Sequence, residues 1–165
     1  MSTFLAQAAY SATFVNTKLV LSVDVSSSIN STEFNLQRDG YAAAFRNAEL
    51  IQSIGGNPNG IAVALSYWAS QAMTAIDWFH ITDEASALAF ADAIEAADRP
   101  SSFGAEGIGG ATNIAGAMDH ARSLFETDEF VSDRRILDLS GDGQQNRNRA
   151  GTSSCSSSLQ ILSHA

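Results

Sequence analysis

The segment Val23-Asp24-Val25-Ser26-Ser27-Ser28 sets one carboxylate and three hydroxyls directly after an apolar run, Lys18 to Val23. Two more oxygen-bearing positions follow: Thr112, just behind Gly109-Gly110, and Asp142 in Leu139-Ser140-Gly141-Asp142-Gly143. In an extended segment residues i, i+2 and i+4 project to one side, so Asp24, Ser26 and Ser28 can aim three oxygens at one point while Val25 turns away. A hydroxyl from Thr112 and a carboxylate from Asp142 would complete a set made only of oxygen, with no thiolate and no imidazole. Such donors suit Mg2+, Mn2+ or Ca2+ over zinc or copper. Two carboxylates balance a divalent charge and hydroxyls add none. The ion would therefore stay electrophilic, with one position open to water or to an outside carboxylate.

Each of these residues also has a plainer reading. Asp24, Ser26 and Ser28 read as a capped turn, Thr112 as the N-cap of the helix that follows, and Asp142 as a turn residue before glycine. Asp138 competes with Asp142, because Asp138, Ser140 and Asp142 alternate to one face; Asp142 is preferred because it lies past the strand end. Glu106 reads as a solvated loop charge, and Trp68 and Trp78 as core. His80, His120 and His164 share no spacing with one another or with Cys155, which argues against a Cys-His nucleophile. A Mg2+-dependent phosphoryl or ester hydrolase, with Asp24 or a neighbouring Ser as nucleophile, is the enzymatic alternative. It would need a base beside the hydroxyl, and no His or Lys falls in the three clusters. There is also no GxxxxGK[ST] phosphate loop.

The elements that must position these residues can be read from pattern. Lys18–Val23 is a continuously apolar strand. Asn30 is an N-cap with Glu33 as its capping-box partner, opening a helix whose stripe runs through Phe34, Tyr41, Phe45 and Ala48. The turn cluster 55–60 ends it. Residues 61–70 and 71–80 are two strands with so short a link that they form an antiparallel hairpin, the second of them at a sheet edge. Residues 83–97 form a helix with Leu88 and Ile94 on its inner face, 99–111 a Gly-rich loop, and 112–126 a helix with Ile114, Ala117, Met118, Ala121 and Phe125 on one stripe. Residues 134–143 are a fourth strand and its turn. This alternation predicts a Rossmann-like, doubly wound, mostly parallel α/β sheet with an antiparallel edge strand. In such sheets ligands sit beyond the carboxyl ends of the strands, where the three oxygen clusters fall.

Composition bounds the partners. The 165 residues are 45% apolar and 16% charged, in keeping with one globular domain. Nine Lys+Arg against eighteen Asp+Glu leave a net charge of -9, which argues against nucleic acid, since phosphate contacts need clustered bases. One cysteine excludes an internal disulfide framework, and no apolar run approaches the roughly 20 residues of a membrane span. Residues 1–17 lack a basic n-region and read as an N-terminal segment, a trimmed signal or disordered.

Asp24-x-Ser26-x-Ser28, Thr112 in GGATNIAGAMDHA and Asp142 in SGDG together resemble the metal-ion-dependent adhesion site, MIDAS, of von Willebrand factor A (VWA) domains. More closely, LSVDVSSSINSTEFNLQRDGYAAAFRN, RRILDLSGDG and the Tyr67-Trp68 pair resemble the bacterial DUF1194 family. The likeness covers roughly residues 18–146. It implies that Ser26, Ser28 and Thr112 coordinate a metal through hydroxyls, and that Asp24 and Asp142 ligate it directly or through water. It further implies a protein partner supplying a carboxylate, binding in place of catalysis, and a periplasmic or secreted location. After Asn146 the pattern departs. Residues 147–165 read as a Ser-rich, disordered tail lacking the strands that would complete the sheet. A truncated domain is expected, whose fourth strand is an exposed edge prone to self-association. On that basis a structural fragment with a vestigial site is a third reading.

Overall fold

The structure is a computed structural model that describes residues 12–142 and the backbone of 159–164. In chain order its elements are β1 (Thr13–Phe14), β2 (Thr17–Asp24), α1 (Ser31–Phe45), α2 (Ala48–Gly55), β3 (Ile61–Trp68), β4 (Ala72–Ile81), α3 (Glu84–Ala96), α4 (Ile114–Glu126), β5 (Phe130–Val131), β6 (Arg135–Ser140) and β7 (Leu159–His164). The main sheet has the order β4-β3-β2-β6-β7. All its pairs are parallel except the β3–β4 hairpin. The expected doubly wound α/β architecture with an antiparallel edge strand is therefore present.

Strand β2 is central and covered on both faces, so its polar side chains Lys18, Ser22 and Asp24 are buried along with its aliphatic ones. Leu21 and Val23 enter one core with Phe34, Phe45, Ile54, Ala87, Phe90 and Ile94 of α1, α2 and α3. Val20 points the other way, into a smaller core with Leu137 and with Ala121 and Phe125 of α4. The larger core is organised by aromatic edges. Phe90 is fully buried and meets Phe45 at 4.8 Å and Phe79 at 5.4 Å between ring centroids. Leu88, expected on the inner face of α3, is 37% exposed; Ala87, Phe90, Ala91 and Ile94 form that face instead.

The expected capping box holds: the Asn30 side chain accepts from the Thr32 and Glu33 amides, and Glu33 accepts from the Asn30 amide. The single helix expected to carry Ala48 on its stripe is two helices. α1 stops at Phe45, and Asn47 accepts from the Glu49 and Leu50 amides to start α2. An Asn side chain competes for backbone donors and so favours caps over helix interiors.

The expectation that the fourth strand is an exposed edge is corrected. Strand β6 is not an edge: β7 pairs with it in parallel from Arg135↔Leu159 to Ser140↔His164. The outer N–H and C=O groups of β6 thereby find partners in place of standing open. The edges of the sheet are β4 and β7, so the proposed self-association through an exposed β6 edge has no basis. Strand β7 lies within the segment read as a disordered tail.

At the far end of β2, Lys18 is buried. Its ammonium donates to the carbonyls of Phe125 (2.9 Å) and Phe130 (3.2 Å), pairs with Asp128, and lies 5.0 Å from the centre of the Trp78 ring. This group pins the end of α4 and the short β1–β5 ladder to the sheet.

Phe90→Ala removes the ring joining α1, β4 and α3, and is expected to cost about 3–5 kcal/mol, measured as a lower denaturation midpoint with an unchanged m-value.

Candidate metal centre

Asp24 is the last residue of β2 and is fully buried. The chain beyond it turns, and this turn, not an extended alternation, gathers the oxygens. The Ser26 amide donates to Asp24 Oδ1 at 2.8 Å and the Ile29 amide closes onto the Ser26 carbonyl at 3.1 Å. Ser26 Oγ and Ser28 Oγ then lie 3.0 Å apart, and Ser28 Oγ donates to Asp142 Oδ1 at 2.9 Å. Four of the five expected residues thus form one continuous hydrogen-bonded chain, joining the end of β2 to the segment after β6.

Thr112, 5% exposed, sits on a loop tied to the same turn. The Ser27 amide and hydroxyl both donate to the Gly110 carbonyl, at 3.0 and 2.9 Å. Ser70, in the link between β3 and β4, holds the other side. Its Oγ accepts from the Ala111 amide at 2.9 Å and its carbonyl from Asn113 Nδ2 at 3.0 Å. Asn113, not Thr112, caps α4, accepting from the Gly116 amide; the N-cap reading of Thr112 is corrected. Two glycines keep the loops this close. Gly109 has φ +76°, and a Cβ there would lie 2.4 Å from Ser70 Oγ. A Cβ at Gly141 would stand 3.1 Å from Asp24 Oδ2 and 3.1 Å from the Trp68 ring.

Burial pushes the Asp24 carboxyl above its usual range, against the pull of the Ser26 amide and hydroxyl; Asp142 adds to the rise and Arg99 opposes it. Its Oδ2 is buried with no hydrogen-bond partner, an expensive state for a carboxylate oxygen. A partnerless oxygen beside a second carboxylate and two hydroxyls fits a hard cation. Among the described residues no group of three or more His, Cys, Asp or Glu side chains gathers, here or elsewhere; the donors of this cluster are two carboxylates and hydroxyls.

Sequence reasoning missed Ser70 and Arg99. Arg99 Nη2 donates to the carbonyls of Val25 (3.0 Å), Ser26 (3.1 Å) and Ile29 (2.7 Å). A signal existed: Arg99 is the sole basic residue between 83 and 111. The residues set aside lie apart from the cluster's bonds. Asp138 accepts from Tyr41 at 3.4 Å, Glu106 is exposed, His80 bonds to the Asn59 carbonyl and His120 to Thr74. Cys155 and the His164 side chain lie outside the described residues.

A mostly parallel sheet with one antiparallel strand and helices on both faces is the fold of VWA domains. Solved structures agree on that fold. The pilus adhesin SpaC from Lactobacillus rhamnosus GG is 17% identical with a TM-score of 0.52, covering 79% of this chain and 16% of that one. The ArnB paralog VWA2 from Sulfolobus acidocaldarius is 16% identical at 0.51, covering 90% and 34%. Proximal thread matrix protein 1 from the mussel byssus is 21% identical at 0.50, covering 92% and 35%. The chain thus spans roughly a sixth to a third of the length of these proteins. No protein of curated function matches. The chain belongs to the family described as "Protein of unknown function (DUF1194)", which it matches over residues 14–161.

Two substitutions check this geometry. The folded pKa of Asp24 lies above its unfolded value, so the folded state binds this proton more tightly, and the ion-free protein gains stability from it as pH falls through the carboxylate range. Asp24→Asn should raise the ion-free midpoint at neutral pH by a few degrees, on the order of 1–3 kcal/mol for relieving a buried unpartnered charge, and flatten the gain seen on acidification; thermal scans across pH read both. Gly109→Ala should lower the midpoint, by on the order of 1–3 kcal/mol from backbone strain alone, measured by denaturant titration.

Proposed function

We propose that this protein is an adhesion-type, cation-dependent protein-binding module. Asp24, Ser26, Ser28, Thr112 and Asp142 hold a divalent ion, Mg2+ first and Mn2+ or Ca2+ as alternatives, and a partner protein supplies the carboxylate that completes the shell. The observation that carries this reading is the hydrogen-bonded chain Asp24–Ser26–Ser28–Asp142, with Asp24 Oδ2 buried and unmatched beside it.

The ion supplies the positive charge that an acidic partner group answers. The chain's residues do the rest. The two carboxylates provide charge, the hydroxyls provide neutral donors, and the Ser27–Gly110 and Ser70–Ala111 bonds hold Thr112's loop against the turn. With a net charge of -9 the domain repels an acidic segment at close range, so capture of a carboxylate through this site requires the ion. Among the described residues, the hydroxyls of Ser26 and Ser28 bond to one another and to Asp142, not to an imidazole or amine, which favours coordination over nucleophilic attack. A periplasmic or secreted location belongs to the same proposal. No helix among the described residues is long and apolar enough to cross a membrane.

Thermal unfolding during titration with Mg2+, Mn2+ and Ca2+ tests it. An ion present at 100 times its dissociation constant should add about 2.7 kcal/mol, a rise of about 5–11 °C for a chain of this size. Asp24→Ala should abolish the rise, and Ser28→Ala should weaken the ion by tenfold or more. A midpoint indifferent to all three ions refutes the proposal.

A further inference from the structure

Arg99 stands at the start of the Gly-rich loop that leads to Thr112, yet its side chain reaches into the other loop. Its Nη2 donates to three carbonyls of the Asp24–Ile29 turn: Val25 at 3.0 Å, Ser26 at 3.1 Å and Ile29 at 2.7 Å. The guanidinium also lies 5.8 Å from the centre of the Phe34 ring, in the first turn of α1, and Phe34 is itself held edge-on by Tyr67 of β3. One guanidinium nitrogen shared by three backbone oxygens, on a planar group set against an aromatic ring, is a rigid support; an ammonium on a flexible stem lacks that plane to rest on the ring.

From this we infer that Arg99 is the positioning residue of the centre: it holds the Val25, Ser26 and Ile29 carbonyls away from the ion, so that coordination is left to hydroxyls and carboxylates. The inference rests on the metal-binding reading above and assigns it a selectivity. Carbonyl oxygens are favoured ligands of Ca2+, which takes six to eight donors in flexible geometry, whereas Mg2+ needs a tight octahedron. A carbonyl oxygen turned toward the guanidinium stands beside a positive charge, which disfavours a second cation on the same oxygen. Arg99 therefore biases the site toward Mg2+. It does so through the backbone of the ligand loop, in the manner of outer groups that orient a metal's ligands.

The experiment compares the full chain with Arg99→Met and Arg99→Lys. Amide hydrogen exchange is followed in the ion-free proteins, and Mg2+ and Ca2+ dissociation constants are measured by calorimetry. In Arg99→Met, exchange at Ser26–Ile29 should rise about tenfold or more while β3 and α4 keep their protection. Mg2+ should weaken by about 10–100-fold, the usual effect of removing such a support, and Ca2+ by clearly less, so that the ratio of the two constants narrows. Arg99→Lys, which keeps the charge without the planar group resting against Phe34, should restore neither the protection nor the ratio. Unchanged exchange in the turn overturns the inference, as does an equal loss for both ions accompanied by a general loss of protection. Wild-type protein that binds neither ion refutes the metal-binding reading itself; wild-type protein that binds Mg2+ while Arg99→Met keeps its ratio refutes only the role of Arg99.

Discussion

A carboxylate buried at the end of the central strand governs this structure. Asp24 closes β2 with one oxygen satisfied by the Ser26 amide and the other without a partner. Burial of this kind is tolerated only where surrounding structure enforces it or a compensating charge is expected. Here the enforcement is visible on every side. Trp68 packs beneath and donates from its indole to the Ser22 carbonyl at 3.2 Å, Gly141 leaves room for Oδ2, and the Val25 amide is held by the Trp68 carbonyl at 2.9 Å. The local cost at Asp24 is set against two cores of well-packed aliphatic and aromatic side chains on either face of the sheet.

The loops around Asp24 are organised by backbone bonds more than by side-chain packing. Ser27 reaches Gly110, Ser70 reaches Ala111 and Asn113, and Arg99 reaches back across to the first turn. Each bond crosses between segments far apart in sequence, so the turn after Asp24 and the loop carrying Thr112 are held together, and Asp142 joins them through Ser28. This is the geometry that loop-borne sites on a firm scaffold require. The fold is shared with proteins of very different size and setting, and fold alone does not define function; the function argued for here comes from the oxygen atoms and their surroundings.

Much of this was legible in the sequence, and the reasons are physical. The continuous apolar run of β2, the Asn30–Glu33 capping box and the short link between β3 and β4 are local signals, and each marks its element. The grouping of Asp24, Ser26, Ser28 and Asp142 followed from their placement after strands, although the alternation invoked for it was wrong: a turn brings Ser26 and Ser28 together. The misses are non-local. Asn47 looked like one more residue of a long helix because capping depends on its backbone conformation. β7 was hidden because its few apolar residues follow a serine-rich run and are interrupted by polar ones. Arg99 and Ser70 act through contacts made only after the loops have met; Arg99 stands out as a lone basic residue, but nothing local tells which carbonyls it reaches.

The two ends of β2 carry a further consequence. Lys18 and Asp24 occupy the same side of the strand as Val20 and Ser22, and both are charged groups enclosed by protein. A shift of β2 by two residues is the smallest that preserves which side chains face which helix. It would drag one ion under the apolar surface of α4 and strip the other of its fitted surroundings, a penalty of several kcal/mol. The strand therefore works as a ruler with a stop at either end, admitting a single alignment against its parallel neighbours β3 and β6. The same stops that fix the alignment also fix where the Asp24 carboxylate sits relative to the ends of β3 and β6.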